Sequence, residues 1–102
     1  MENKDYLTLE VKRKINVTWD DEETNQAIDS MVEDAIITLN EKLGANIDYS
    51  KPGMERNLFK NYCLYAWNDC LDDFDKKYIN EIYQIRAKYE VESYVEKKYK
   101  SI

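Results

Sequence analysis

The chain has 102 residues, of which 35% are charged and 43% hydrophobic, with only two glycines and one proline. This length is typical of one domain, and the composition favours long helices over sheet or disorder. The net charge of −6 argues against a free DNA- or RNA-binding domain, because such domains normally present a basic face.

The first element is predicted to be a short helix from Tyr6 to Ile15, after a polar segment, residues 1–5, that is expected to be frayed. Apolar residues recur every four positions in this helix, at Leu7, Val11 and Ile15. Thr8 is a possible cap. Leu9 blurs the pattern, so a short strand is the alternative for this segment.

A long helix is predicted over residues 21–43. Asp20 is expected to cap it with Glu23 three residues later, and Trp19 before the cap is expected to pack back onto the helix. Gly44 is expected to end it. Its apolar residues recur with helical spacing on one face: Ile28, Met31, Val32, Ala35, Ile36, Leu39 and Leu43.

A loop is predicted from Ala45 to Gly53, and a third helix starts near Met54. Apolar residues cover more than half of its circumference, which predicts a central helix contacted on several sides. These residues are Met54, Leu58, Phe59, Tyr62, Cys63, Tyr65, Ala66, Trp67, Cys70 and Leu71.

The carboxylates at 72–75 predict a break, with Asp72 or Asp73 capping a fourth helix that runs to the end of the chain. One uninterrupted helix from 54 to about 100 is the alternative. The fourth helix has a core-facing pattern at Tyr78, Ile82, Ile85 and Tyr89, which Val91, Val95 and Tyr99 continue at a shifted angle. The sequence therefore predicts one all-α domain, residues 1–102, a small bundle of about four helices with a long C-terminal helix. Residues 90–102 are a possible extended interaction tail.

No catalytic apparatus is recognisable. The chain has no histidine, which excludes Ser-His-Asp triads and histidine-based zinc sites. Gly44 and Gly53 are isolated, so no phosphate-binding loop is present. Cys63 and Cys70 lie seven residues apart, about 10 Å along one helix and too far for a disulfide, so we expect buried free thiols. We expect no enzyme activity, no cofactor and no metal.

The acidic residues Asp69, Asp72 and Asp73 could share a helical face and hold Mg²⁺ or Ca²⁺. The alternating acids and central glycine of a calcium loop are absent, however. A helix end followed by a solvated turn is the favoured interpretation.

Two charged segments are candidate interaction surfaces. Residues 1–50 have five basic and twelve acidic side chains, whereas residues 51–102 have ten and nine. The acidic candidates are Asp20, Asp21, Glu22 and Glu23, although the helix dipole also explains them. The C-terminal candidates combine aromatic and basic side chains, which suit protein contacts, at Tyr94, Lys97, Lys98, Tyr99 and Lys100.

The order of these elements resembles the head–tail connector proteins (head-completion or adaptor proteins) of tailed bacteriophages and prophages. The likeness covers residues 7–95 and includes Val17-Thr18-Trp19-Asp20-Asp21-Glu22, Leu43-Gly44 and Tyr49-Ser50-Lys51-Pro52-Gly53. It continues through Asn61-Tyr62-Cys63-Leu64-Tyr65-Ala66-Trp67-Asn68, Phe74, and Tyr78-Ile79-Asn80-Glu81-Ile82 to Arg86 and Tyr89. It is a pattern of elements and residue choices without a catalytic motif.

The resemblance implies an α-helical subunit that forms a dodecameric ring under the portal protein. This ring seals the DNA-filled head and provides the platform for the next connector or the tail. Its partners are other copies of itself, the portal protein and the next connector or tail protein. DNA passes through it without sequence-specific binding, and no membrane is involved. The implied location is the head–tail interface of the virion, after assembly in the cytoplasm of the bacterial host.

The alternative from composition alone is a small, acidic, cytosolic regulator or adaptor. Such a protein would be a helical bundle, dimeric, that binds one protein partner through its C-terminal helix. Symmetry separates the two interpretations, because a regulator favours a closed two-fold dimer, whereas a connector is expected to be a monomer or a ring.

Overall fold

The structure, a computed structural model, describes the backbone of residues 2–100 and the side chains of residues 5–95. It is all-α, as predicted, and contains no strand within the described backbone. The elements are α1 (Glu2–Lys14), α2 (Glu22–Leu43), α3 (Met54–Trp67), a 3₁₀ helix (Leu71–Asp73), α4 (Phe74–Lys77) and α5 (Ile79–Lys100). The strand alternative for the first segment is therefore wrong, and α1 starts four residues before Tyr6. Thr8 is buried inside α1 and does not cap it.

The start of α2 differs from the prediction by one residue. Its N-cap is Asp21, whose carboxylate accepts hydrogen bonds from the backbone N–H and the hydroxyl of Thr24, both at 2.8 Å. The expected pairing of Asp20 with Glu23 is wrong, because Asp20 instead accepts from the Asn25 amide. Trp19 is 53% exposed and donates from its indole N–H to the Thr24 hydroxyl, so it does not form an apolar contact of the expected kind.

Helices α1, α2 and α3 are each followed closely by a residue in the left-handed conformation. Gly44 ends α2 with φ 69°, as predicted, and its N–H donates to the Asn40 carbonyl. Asn16 after α1 and Asp69 after α3 have φ 61° and 57°. At Asp69 the following N–H, of Cys70, reaches back to the Tyr65 carbonyl at 2.9 Å. This pattern satisfies the last carbonyl groups of α3 and directs the chain away from the helix axis.

The predicted break lies earlier than the carboxylates at 72–75. Helix α3 ends at Trp67, so the single-helix alternative is wrong, and Cys70 is a half-buried residue outside the helix. Asp73 occupies the cap position of α4, but its side chain makes no cap hydrogen bond. The turn places Phe74 in the core, where its ring lies 5.0 Å from that of Tyr62.

Helix α3 is central, as predicted, and packs against α1, α2 and α5. Phe59 on this helix is fully buried and stacks on Tyr49 from the preceding loop, with ring centroids 4.7 Å apart. Met31 and Ile36, assigned to the core from the sequence, are only partly buried against it. Among the side chains of residues 5–95, eighteen hydrophobic ones are buried in the core: Leu7, Val11, Ile15, Val17, Ile28, Val32, Ala35, Leu39, Leu43, Ile47, Tyr49, Leu58, Phe59, Tyr62, Cys63, Phe74, Ile82 and Ile85.

Candidate functional site

Tyr78 and the first part of α5, together residues 78–89, pack against the other helices, which are called the body; this stretch is called the docked segment. Its core-facing residues are Tyr78, Ile82, Ile85 and Tyr89, of which the two isoleucines are buried and the two tyrosines half-buried. This assignment of residues 78–89 to the core was predicted from their spacing. The segment runs from near Tyr65 at the end of α3 to Glu55 at its start, so α5 is antiparallel to α3.

Polar contacts at the two flanks hold the end of the docked segment. On one flank, Arg86 donates from its guanidinium to the Lys42 carbonyl at the end of α2, at 2.9 Å. On the other, the Glu55 carboxylate accepts from the Lys88 ammonium at 2.6 Å and from the Tyr89 hydroxyl at 2.8 Å. The hydrogen bond from Lys88, followed by that from Tyr89, lowers the pKa of Glu55, although partial burial opposes this effect.

The helix continues beyond these contacts, and residues 90–95, called the projecting segment, are all exposed. Val91, Tyr94 and Val95 have exposed fractions of 62%, 67% and 42%. Tyr94 therefore lies beyond the core, as its position in the sequence predicted. The side chains of Lys97, Lys98, Tyr99 and Lys100 lie outside the described residues.

An exposed apolar row runs along the full described length of α5. Its members recur every four residues and lie outside the core-facing set: Ile79, Tyr83, Ala87, Val91 and Val95. The sequence reading missed the row's first three members. The signal was present, because two apolar series with helical spacing on one helix predict two contact faces.

The predicted acidic candidates, Asp20 to Glu23, are exposed at the start of α2. Asp21 acts locally as the helix cap, and hydrogen bonds from the Thr24 backbone and then its side chain lower the pKa of Asp21. The structure does not bring this cluster to Tyr94, the C-terminal candidate whose side chain is described, within one chain. Helix α5 meets α2 at Lys42, about 30 Å along the helix from Glu22.

A groove lies between α2 and α3 at the end of α3 that is remote from the projecting segment. Its volume is about 340 Å³, near the lower limit of small-molecule pockets and suited to one or two side chains. It is largely apolar and is lined by Ala27, Met31 and Asp34 of α2, Tyr62 and Ala66 of α3, and Leu71 of the 3₁₀ helix. The α2–α3 groove could not be predicted from the spacing of residues in one helix, because it forms only where two helices pack side by side.

No metal cluster is found among the described residues, and the buried thiol of Cys63 is unreactive. Those residues contain no group of three or more metal-binding side chains. Asp69 lies in the left-handed turn that ends α3, in agreement with the helix-end interpretation, and does not share a helical face with Asp72 and Asp73. Burial raises the pKa of Cys63 to about 12, so this thiol is protonated at neutral pH and is not a nucleophile.

Among residues 2–100, no helix combines the length and the apolar character needed to cross a membrane. Comparison of the chain with protein-family models, curated proteins and solved structures gives no match.

Proposed function

We propose that the chain is a structural assembly protein, a ring-forming subunit of the head–tail connector of a tailed bacteriophage or prophage. In this role it docks under the portal protein, seals the DNA-filled head and carries the next connector or the tail. It needs no catalytic residue and no cofactor. DNA passes through the ring without sequence-specific contact, and the protein is located at the head–tail interface of the virion.

The observation that carries this proposal is the continuation of α5 beyond the body. Six residues after the last contact with Glu55 remain exposed, and three of them are Val91, Tyr94 and Val95. Large apolar side chains on an exposed helix are typical of a surface that a protein partner covers. The order of the elements along the chain supports the choice of a connector.

The charge of the α2 surface is also compatible with a ring around DNA. The outward side of α2 has Glu23 and Glu41, both exposed, and no exposed basic residue lies within α2. An acidic surface repels phosphate groups, so a ring that exposes it to the lumen would let DNA pass without gripping it.

The test is the mass of the native protein by light scattering after size exclusion, over a concentration series and at two salt concentrations. We expect particles with a mass larger than that of a dimer, whose fraction rises with protein concentration. We also expect annular particles in electron micrographs. Sensitivity to salt would implicate the acidic and basic surfaces.

A different result would overturn the proposal. A tight dimer that persists at every concentration and does not respond to salt would favour the alternative, a dimeric regulator or adaptor with a single protein partner. A monomer at the highest concentration would also contradict a subunit that forms rings by itself.

A further inference from the structure

We infer that the α2–α3 groove is the binding site for the end of α5 from a second copy of this chain. This inference rests on the proposed function and identifies the contact between neighbouring subunits of the ring. Each subunit would offer its projecting segment to one neighbour and its groove to the other. Such a contact is heterologous, which is the type of contact that forms closed rings.

The two surfaces lie at opposite ends of the subunit. The projecting segment leaves the body beside Glu55, in the first turn of α3. The groove contacts Ala66, eleven residues later and about 16 Å along the helix axis. Because α5 runs away from the groove end of α3, the projecting segment is directed away from the groove of its own chain. The α5 end of a second copy can fill the groove that this chain's own α5 cannot reach.

Both partners offer apolar surface. Ala87, Val91, Tyr94 and Val95 follow the spacing i, i+4, i+7 and i+8, by which an amphipathic helix binds in a groove. The groove has alanines on both walls, Ala27 and Ala66, which permit a close approach. Leu71 at its edge is 39% exposed and offers an apolar surface that the subunit itself leaves uncovered.

The charges are complementary as well. Asp34 lines the groove, Asp72 follows Leu71 in the chain, and none of the lining residues is basic. Residues 94–100 contain three lysines and one glutamate. Opposite charges around an apolar contact steer the partners together and fix their orientation. An acidic groove therefore favours the lysine-rich end of α5 as its occupant, and it would repel the acidic outer face of α2 of a second copy.

The first experiment blocks the groove. Ala27→Arg places a long basic side chain on an exposed position of the groove wall, and Gln26→Arg makes the same charge change at an exposed neighbour that does not line the groove. We expect Ala27→Arg to raise the concentration needed for assembly roughly tenfold or more, and Gln26→Arg to leave it nearly unchanged. Equal assembly by the two variants would overturn the inference.

A mixing experiment tests the head-to-tail direction. Ala27→Arg removes the groove and Tyr94→Asp removes the projecting contact, so each variant alone should be monomeric. A one-to-one mixture retains one intact groove and one intact α5 end, and should stop at a pair of subunits. Growth of the mixture beyond a pair, or no pairing, would contradict the heterologous contact. Neither result would contradict the proposed function, because ring formation by the native protein is measured separately.

Cross-linking detects the contact even if assembly is weak. In a Cys70→Ser background, a Val95→Cys subunit is mixed with an Ala27→Cys subunit and treated with a short bismaleimide. Cys63 is buried and protonated, so it should not react. We expect several times more cross-linked dimer than with Gln26→Cys in place of Ala27→Cys. Similar yields would overturn the inference, and a Val95→Cys subunit that cross-links only to itself would indicate a two-fold dimer instead.

Discussion

The docked and projecting segments of α5 belong to one helix but have opposite environments. Ile85 in the docked segment is 2% exposed, whereas Val91 in the projecting segment is 62% exposed. Both are apolar β-branched residues, and neither interrupts the helix. Lys88 and Tyr89, at the end of the docked segment, both bind Glu55. The large apolar side chains after them, up to residue 95, are exposed.

This difference separates two uses of apolar surface. Burial of the docked segment stabilises the subunit, because about 25 cal/mol is gained for each Å² of apolar surface removed from water. The exposed apolar side chains of the projecting segment give the lone subunit no such gain. They can contribute only when another molecule covers them.

The largest expected effect comes from placing the same charged residue in each segment. Ile85→Asp would bury an unpaired carboxylate and should cost more than about 4 kcal/mol, enough to prevent cooperative folding of a small domain. Val91→Asp should change the free energy of unfolding of the lone subunit by less than about 0.5 kcal/mol and should impair assembly. Urea unfolding followed by circular dichroism measures both. A folded Ile85→Asp protein would show that the core face of α5 is wrongly assigned.

The contacts of Glu55 should contribute less than the core. Tyr89→Phe removes the hydroxyl that donates to Glu55 at 2.8 Å and should lower the free energy of unfolding by about 1 kcal/mol. Tyr83→Phe is the matched control, since that tyrosine is 62% exposed on the outer side of the same helix. Equal stability of the two variants would mean that the Glu55 contacts do not hold the docked segment.

Acid should weaken the same attachment. The pKa of Glu55 is lower in the folded chain than the ordinary value of 4.5, so its contribution is complete above that value and is lost as the pH falls through the folded pKa. Between about pH 5 and about pH 3, the native protein should lose more stability than Glu55→Gln does. Urea unfolding at each pH tests this. Glu92→Gln, in the exposed projecting segment, should behave like the native protein.

The smallest effect on stability is expected at the C-terminal lysines. Reversing Lys97, Lys98 and Lys100 together to glutamate should leave the unfolding free energy of the lone subunit within about 0.5 kcal/mol, because they follow the last core-facing residue of α5, Tyr89. The same change should weaken assembly, as seen in the light-scattering mass. A triple variant that melts several degrees lower as a monomer would place the tail in the core.

Residue preferences at helix ends predicted some of the helix boundaries correctly and others wrongly. Gly44 was predicted as the end of α2, because glycine takes a left-handed conformation at little cost. Asp69 was not recognised as the corresponding residue after α3, since aspartate adopts that conformation less often and the acids after it gave a stronger signal for a break. The cap at Asp21 was misplaced by one residue for a similar reason. Four consecutive acids offer more than one cap, and the Thr24 contacts decide between them.

Residue spacing along the chain was enough to predict the all-α class, the extent of α2, the central position of α3 and the core-facing residues of α5. All of these follow from periodicity, which records the direction that each side chain takes from its helix. Two features are seen only in the tertiary structure. One is the position along α5 at which contact with the body stops, and the other is the groove between α2 and α3 beside Ala27 and Leu71. Those features depend on how far each helix extends past its neighbours, and the spacing of residues within one helix contains no information about that distance.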